Sequence, residues 1–509
     1  MTEATKEPSA IGSISFQYAG STVQFLFGAL FYIILLHFFT TSMIGEIALL
    51  LAFVSLFNIV FSLGLNKGSQ HFISVSLGGR VQDVPSFHAY RFMILCTTLA
   101  LASIVVFVLL VPSVFSILFH THISQMTIYI VGFVAAGNVL FTSFRGIILG
   151  FRWFKTFGII SVIVWSFYYT LSLLLGIEFR SVEFTSLGWF IGIMFGVLIE
   201  LTIIFRGTRL KNGEKEFLKA RTILSYSFPI MIASIINFGA AYIDRLIVAG
   251  VLNLSLLGIY NIALLISSSV TLLSTPINYV IFSIFSENFG MRDFVSLRSN
   301  FRTSTLILSV FYVPFAVLLA SLSRPVILLL AGPAYLPSAF PLIIILFSYG
   351  LFCSANITTQ IIGAIERTRV FFVSTGASLL SNLLLSIILI PRYGITGASI
   401  GYSSVVAVDL LFQYIIMKKT GLIKYDLKGL FKIWGSSLMM FVFVFYLSEF
   451  LEVNPHLLLA MLPVNIIIGL VIYTLLIRYL KPLSNDDCYL LRREIPKLKW
   501  AFRILFGTR

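Results

Sequence analysis

Charge is scarce in this sequence. Only 11% of its 509 residues are Asp, Glu, Lys or Arg, where soluble domains carry roughly 25%. With 58% hydrophobic residues and a mean hydropathy of +1.00, that scarcity excludes one large soluble core and implies an integral membrane protein. Cysteine is scarcer still. Cys96 and Cys353 lie in apolar segments and Cys488 in a polar tail, so no disulfide framework is expected, only reduced thiols. Metal-ligand clusters are missing. His120 and His122 form a sparse "HTH", and the Asp486–Asp487 pair lacks further ligands, so both read as solvated and no metal site is expected. There is no Gly-rich phosphate loop and no nucleophile constellation. ATP hydrolysis is therefore not expected, nor any cofactor, nor catalytic residues. A secretory signal is not evident either. The first apolar segment, Ile14 to Phe39, is too long for an h-region and has no small-residue cleavage site, so it reads as a membrane span.

What is present is a series of long apolar runs. A span needs about 20 apolar residues, and about fourteen segments qualify: 14–39, 43–64, 90–112, 124–149, 157–178, 186–205, 223–250, 255–283, 303–322, 338–364, 370–390, 395–417, 431–450 and 456–478. The net charge of +15 does not indicate nucleic acid, because the basic residues sit in short loops between spans and act as orientation signals. Loops after even-numbered spans are basic, among them "LNKGSQHFISVSLGGR", "RGTRLKNGEKEFLKAR" and "MKKTGLIKYDLKGLFK". Those after odd-numbered spans carry only Arg180, Arg324 and Arg392. The asymmetry places both termini in the cytoplasm.

The chain also repeats itself. "RGIILGFRWFKTF" from Arg145 matches "TQIIGAIERTRVF" from Thr359, "GWFIG" from Gly188 matches "GASIG" from Gly397, and "MIGEIALL" from Met43 lies opposite "LLGIYNIALL" around Gly258. Each copy holds six spans. Six is even, so the copies enter the membrane in the same direction as parallel repeats. The expected organisation is all-α: an N-terminal six-helix lobe over 10–206, a cytoplasmic linker over 207–222, a C-terminal six-helix lobe over 223–419, two further helices over 420–480, and a basic cytoplasmic tail over 481–509.

Several residues within the spans ask for partners. Gly146-x-x-x-Gly150, Gly188-x-x-x-Gly192-x-x-x-Gly196 and Gly397-x-x-x-Gly401 are small-residue stripes that let helix backbones approach closely. Pro229, Pro276, Pro314 and Pro341 each remove a backbone donor, marking either a static kink or a pivot. Glu200 follows Gly188, and Asp409 follows Gly397, at the same spacing. A membrane acid costs roughly 2.5–3.5 kcal/mol at the helix centre. The pair reads either as salt-bridged to a cytoplasmic-end base such as Arg145 or a loop lysine, or as proton- or cation-linked carboxylates. Ser286 to Arg302 spaces Phe289, Phe294, Leu297 and Phe301 among charges and suits an interfacial amphipathic helix.

The run "INFGAAYIDRLIVAGV", residues 236 to 251, sets Asp244 beside Arg245 in apolar surroundings. At 1.5 Å per residue Asp244 lies roughly 10 Å from the outer end of its helix, too deep for a short side chain to snorkel. Adjacent helix residues do not face each other, so at least one charge needs a partner on another helix or in a wet cavity. Asn237, Ala241 and Asp244 share one face as a polar stripe suited to an inter-helix contact. Arg245 is turned about 100° away, towards a cavity, where its paired donors suit a phosphate.

"YIDRLIVAG" with "LGIYNIALLI" behind it, Tyr242 to Ile266, and "PRYGITGASIGYS", Pro391 to Ser403, resemble the polysaccharide (Wzx-type) flippases of the multidrug/oligosaccharidyl-lipid/polysaccharide (MOP) exporter superfamily. The resemblance covers nearly the whole chain. It implies two six-helix lobes around a central cavity open alternately to either side of the cell membrane. It implies no enzyme but a transporter moving a polyprenyl-(pyro)phosphate-linked oligosaccharide to the outer leaflet. Arg245, Arg145 and Asn237 are then the candidate substrate contacts, and Asp244, Glu200 and Asp409 the structural or coupling residues. The implied partners are the lipid-linked substrate, membrane lipids and, functionally, glycosyltransferases or a polymerase. The peptidoglycan-precursor flippases of the superfamily carry several cavity arginines in the first lobe. The first span here has Gln17, Gln24 and His37 and no Arg or Lys, which argues against lipid II. Two alternatives remain: a cation-coupled multidrug or small-molecule exporter of the same superfamily, and a polyprenyl-dependent membrane glycosyltransferase, ligase or polymerase. The second alternative lacks the long outer loop such enzymes use to bind sugar.

Overall fold

The computed structural model describes residues 10–77, 84–119, 123–208, 220–367, 369–450 and 460–482. Every α- or 3-10 element among them is helical. In chain order the α-helices are α1 (Ala10–Phe38), α2 (Thr41–Ser62), α3 (Leu65–Leu77), α4 (Val84–Leu118), α5 (Gln125–Gly150), α6 (Phe154–Phe179), α7 (Val182–Gly207), α8 (Ala220–Val251) and α9 (Leu254–Ser268). They continue as α10 (Thr275–Gly290), α11 (Phe294–Ser321), α12 (Ser323–Leu330), α13 (Ala339–Ala364), α14 (Arg369–Tyr393), α15 (Ile395–Lys418), α16 (Leu427–Phe450) and α17 (Leu462–Leu480). Among the described residues 13 helices are long and apolar enough to cross a membrane. The chain is thus a multi-pass membrane protein. The remaining expected span is α1, whose apolar part runs over Thr22–Phe38.

The structure differs from the sequence reading in three places. The basic segment after α2 is a helix, α3, which buries Leu65, Gly68, Ser69 and Ile73. Its spacing is that of an amphipathic helix too short to span. The expected span over 255–283 is broken: α9 gives way to a 3-10 segment, Ser269–Leu273, and Pro276 starts α10. Proline is tolerated in a first helical turn because its missing N–H would be unbonded there anyway. The expected interfacial helix over 286–302 is two helix ends joined by a turn. Asp293 caps α11 by accepting from Ser296 N–H at 3.0 Å, Leu297 and Phe301 are buried, and Phe294 is exposed.

The helices form two compact units. One comprises residues up to Phe238 together with Asn253–Gly258; the other comprises Gly239–Leu252 and residues from Ile259 onward. Residues 209–219 of the expected linker, the HTH loop histidines, Cys488 and the tail acids Asp486 and Asp487 lie outside the described residues.

In the first unit the glycine stripes seat helices against one another. A Cβ at Gly192 would stand 2.7 Å from Tyr168 Cα, and one at Gly196 would stand 2.7 Å from Val164 Cγ1. Side chains there would force α6 off α7. Gly146 and Gly150 serve α3 in the same way, the latter 2.8 Å from Ile73 Cβ. Gly45 and Gly258, matching positions of the sequence repeat, also meet backbone to backbone, beside a 2.6 Å hydrogen bond between Thr41 and Ser255.

In the second unit Gly397 and Gly401 of α15 meet Leu389 and Ser386 of α14. α11, α16 and α17 share a core of Leu306, Val310, Val313, Ile433, Met440 and Tyr473. Pro314, inside α11, cannot donate to the carbonyl one turn back. That carbonyl, on Val310, accepts instead from Tyr473 Oη at 2.8 Å. The carbonyl that Pro314 leaves free is thus satisfied by a side chain from another helix. At the end of the unit, Arg302 Nη2 meets Asp426 Oδ2 at 2.6 Å, and Asp426 also accepts from Gly429 N–H at 2.9 Å, capping α16.

Candidate functional site

Asp244, in the second unit, is completely buried. A carboxylate in that position needs donors, and two other helices supply them. Tyr260 of α9 donates to Oδ2 at 2.6 Å. Asn382 of α14 lies 3.4 Å from Oδ1 through Nδ2, and donates to the Ala240 carbonyl of α8 at 3.0 Å. Ser386 donates to Asn382 Oδ1 at 2.9 Å, which orients the amide. Tyr260 and Asn382 thus supply the hydrogen bonds of the carboxylate, and the charge of its neighbour Arg245 adds to them.

Arg245 is half-buried. Its Cζ lies 4.3 Å from the centroid of the Tyr242 ring, and its Nε is buried without a hydrogen-bond partner among the described residues. Tyr260, Tyr402 and Tyr349 stand close enough to interact with its charge, and the Tyr349 and Tyr402 hydroxyls are 3.2 Å apart. A guanidinium over a ring face is stabilised by the ring quadrupole, and that face leaves its in-plane donors for other groups. The tyrosines around it are uncharged and hydroxyl-bearing. Chemically this is a fixed cation in a wall of phenols, suited to an anion attached to a polyhydroxylated or aromatic-stacking group.

The expected stripe of Asn237, Ala241 and Asp244 does not act as one contact. Asn237 is exposed and donates to the Ala233 carbonyl of its own helix at 2.8 Å, while Asp244 alone makes the inter-helix bonds. Helical spacing identifies a shared face; it does not say how far along that face a neighbour packs.

In the first unit Arg145 of α5 and Glu200 of α7 form a pair, Nε to Oε1 at 3.6 Å, with side chains 16% and 0% exposed. Arg145 Nη2 donates to Ser161 Oγ at 2.6 Å. Its Cζ lies 4.4, 5.0 and 5.7 Å from the rings of Phe141, Phe157 and Trp165. The guanidinium is therefore committed to groups inside the unit. Neither Glu200 oxygen has a hydrogen-bond donor among the described residues.

The repeat partners of these residues also meet. Thr359 of α13 matches Arg145, and Asp409 of α15 matches Glu200. Gln413 joins them: its Nε2 donates to Asp409 Oδ2 at 2.8 Å and to Thr359 Oγ1 at 3.1 Å. Each unit thus ties the corresponding helices together at the same level, once by an ion pair and once through an amide. Tyr260, Asn382, Ser161 and Gln413 were not singled out from sequence. The available signal was that a polar residue in an apolar span must be satisfied by another one. No group of three or more His, Cys, Asp or Glu able to hold a metal ion occurs among the described residues.

Residues 34–340 match the model of a family described as polysaccharide biosynthesis protein. No curated protein matches the chain. Among solved structures, the lipid II flippase MurJ in its inward closed conformation is similar with a TM-score of 0.71 at 16% identity, over 95% of this chain and 100% of that one. An inward-facing multidrug resistance MATE family transporter of the MOP superfamily is similar with a TM-score of 0.62 at 14% identity, over 78% of this chain and 95% of that one. A MOP superfamily transporter from Pyrococcus furiosus follows with a TM-score of 0.55 at 14% identity, over 81% and 95%. At these identities the likeness is one of fold.

Proposed function

Because the chain belongs to the polysaccharide biosynthesis protein family and has the fold of MOP-superfamily transporters, we propose that it flips a polyprenyl-(pyro)phosphate-linked oligosaccharide. The substrate moves from the cytoplasmic to the outer leaflet by alternating access, with both protein termini in the cytoplasm. No bond of the substrate is made or broken. Glycosyltransferases that build the substrate and a polymerase that consumes it are the functional partners.

The observation that carries this reading is Arg245. Its charge lies over Tyr242 among tyrosines, with an unbonded buried Nε, while the neighbouring acid is held by other helices. A pyrophosphate would take the paired in-plane donors, and the phenols would face the first sugars. Asp244 anchors α8 to α9 and α14. Arg145, enclosed by Glu200, Ser161 and three rings, serves as a helix tie rather than a substrate contact. Asn237 stays a candidate contact because it is exposed. The likeness to a lipid II flippase supports a lipid-linked substrate. The lack of Arg or Lys in the first helix, which has Gln24 and His37 instead, favours a lipid-linked oligosaccharide other than lipid II.

Substitution separates this role from packing. Arg245→Ala should insert normally, yet restore less than about a tenth of surface polysaccharide in a deletion strain. Arg245→Lys keeps charge without the fork and should restore it in part. Normal polysaccharide with Arg245→Ala would end the substrate role.

A further inference from the structure

The open side of α3 has no part in the transport reading. Lys67, Gln70, His71 and Val75 are spaced to lie along one face of this helix, away from the buried face that rests on Gly146 and Gly150, with Ser74 at its edge donating to the Gly150 carbonyl at 3.0 Å. A polar helix face is ordinarily plain solvated surface. Here another helix walls it. Ser227 of α8 presses on Gly64, whose φ is +71°, and on Gly68, at distances that leave no room for a Cβ at either position. This close approach lays Tyr226 flat on His71, with centroids 4.4 Å apart and planes 13° from parallel. Phe72 meets Tyr226 edge-on at 5.5 Å. The result is an open groove of about 390 Å³ lined by Lys67, Gln70, His71, Ser74, Val75 and Tyr226, within the size range of small-ligand sites.

The lining determines what such a groove accepts. It offers an ammonium, a carboxamide, an imidazole, a hydroxyl and a phenol, and no Asp or Glu. The ammonium, carboxamide, imidazole and phenol can donate, the Ser74 hydroxyl being spent on the Gly150 carbonyl, and the one fixed charge is positive, which is the donor set of a phosphate site. Its position says where the phosphate comes from. α2 is long and apolar enough to cross the membrane and ends at Ser62, and α3 starts at Leu65. The groove therefore opens at the membrane boundary, where lipid head groups lie.

We propose that the α3–α8 groove binds the phosphate of a membrane lipid head group, with Lys67 as its counter-charge and the stacked His71–Tyr226 pair as its wall. The site does not depend on the role given to Arg245. Anionic phospholipid and polyprenyl carrier present the same phosphate chemistry, so the test uses both. Full-length protein in detergent micelles is titrated separately with phosphatidylglycerol, a polyprenyl monophosphate and inorganic pyrophosphate, and adducts are counted by native mass spectrometry. Lys67→Ala and His71→Ala should each weaken lipid binding about tenfold. Lys67→Arg should retain it, and Arg292→Ala, at an exposed turn of the second unit, should leave it unchanged. Weakening with phosphatidylglycerol assigns the site to phospholipid, and weakening with the polyprenyl probe alone assigns it to the carrier. Weakening with pyrophosphate alone overturns the lipid assignment. Equal binding by all variants with every probe overturns the site.

Discussion

At the scale of single residues, the informative contrast is between Asp244 and Arg245, neighbours in sequence that differ in burial and in hydrogen bonding. Asp244 is buried and bonded by Tyr260 and Asn382. Tyr260→Phe would leave its carboxylate without its short bond. Leaving a buried acceptor unsatisfied costs roughly 1–3 kcal/mol. Thermal unfolding in detergent should therefore show a lower midpoint for Tyr260→Phe, and Asp244→Asn should yield less folded protein. Arg245→Ala should unfold like the parent. Equal midpoints for Tyr260→Phe and the parent would remove the anchoring role of Asp244. That Asp244 needs an off-helix partner was legible from its depth in an apolar run. Which residues meet it was not, because Tyr260 and Asn382 come from separate helices.

Between elements, the same helix-to-helix ties recur with different chemistry. Arg145–Glu200 joins α5 to α7 by charge, and Thr359–Gln413–Asp409 joins α13 to α15 by hydrogen bonds. Removing one member of a buried ion pair costs roughly 3–5 kcal/mol, because the other charge is left uncompensated. Glu200→Gln should therefore lower the folded yield sharply. Asp409→Asn, half-buried beside a neutral amide, should change it by less than about 1 kcal/mol. Equal loss in both would mean the pairs are equivalent after all. Transport by the two variants, measured across pH and sodium concentration, then addresses coupling: unchanged dependence in both excludes these acids as ion-coupling groups. Proline shows the same division of labour. Pro314 lies inside a helix and the carbonyl it leaves free is satisfied by Tyr473, whereas Pro276 lies in the first turn of a helix after a 3-10 break. Composition marks both alike; only the neighbouring chain distinguishes them.

For the whole molecule, the orientation rests on loop charge. Reporter fusions at Lys211 and Lys424 should read cytoplasm, and fusions at His122 and Asn454 should read outside. One loop on the wrong side would undo both the orientation and the parallel relation of the repeats. The long helices from α2 to α17 follow the apolar runs closely because the requirement is local. A chain that cannot bond to water in hydrocarbon must bond to itself within each segment. Helix α3 gives no such apolar run because it is too short and too polar to span, although Leu65, Gly68, Ser69 and Ile73 carry the helical period.

The sequence by itself determined the membrane character, most of the spans, the internal repeat and the need of Asp244 and Glu200 for partners. These depend on hydropathy, on spacing along one helix and on the cost of burying charge, all of which are local. Tertiary structure alone decided that Tyr260 and Asn382 hold Asp244, that Asn237 stays outside that contact, and that Gly146 and Gly150 receive α3. It also decided that Tyr226 stacks on His71 and walls a groove that Lys67 lines. Each of these depends on how far one helix slides and turns against another, and side-chain volumes from distant parts of the chain set that geometry.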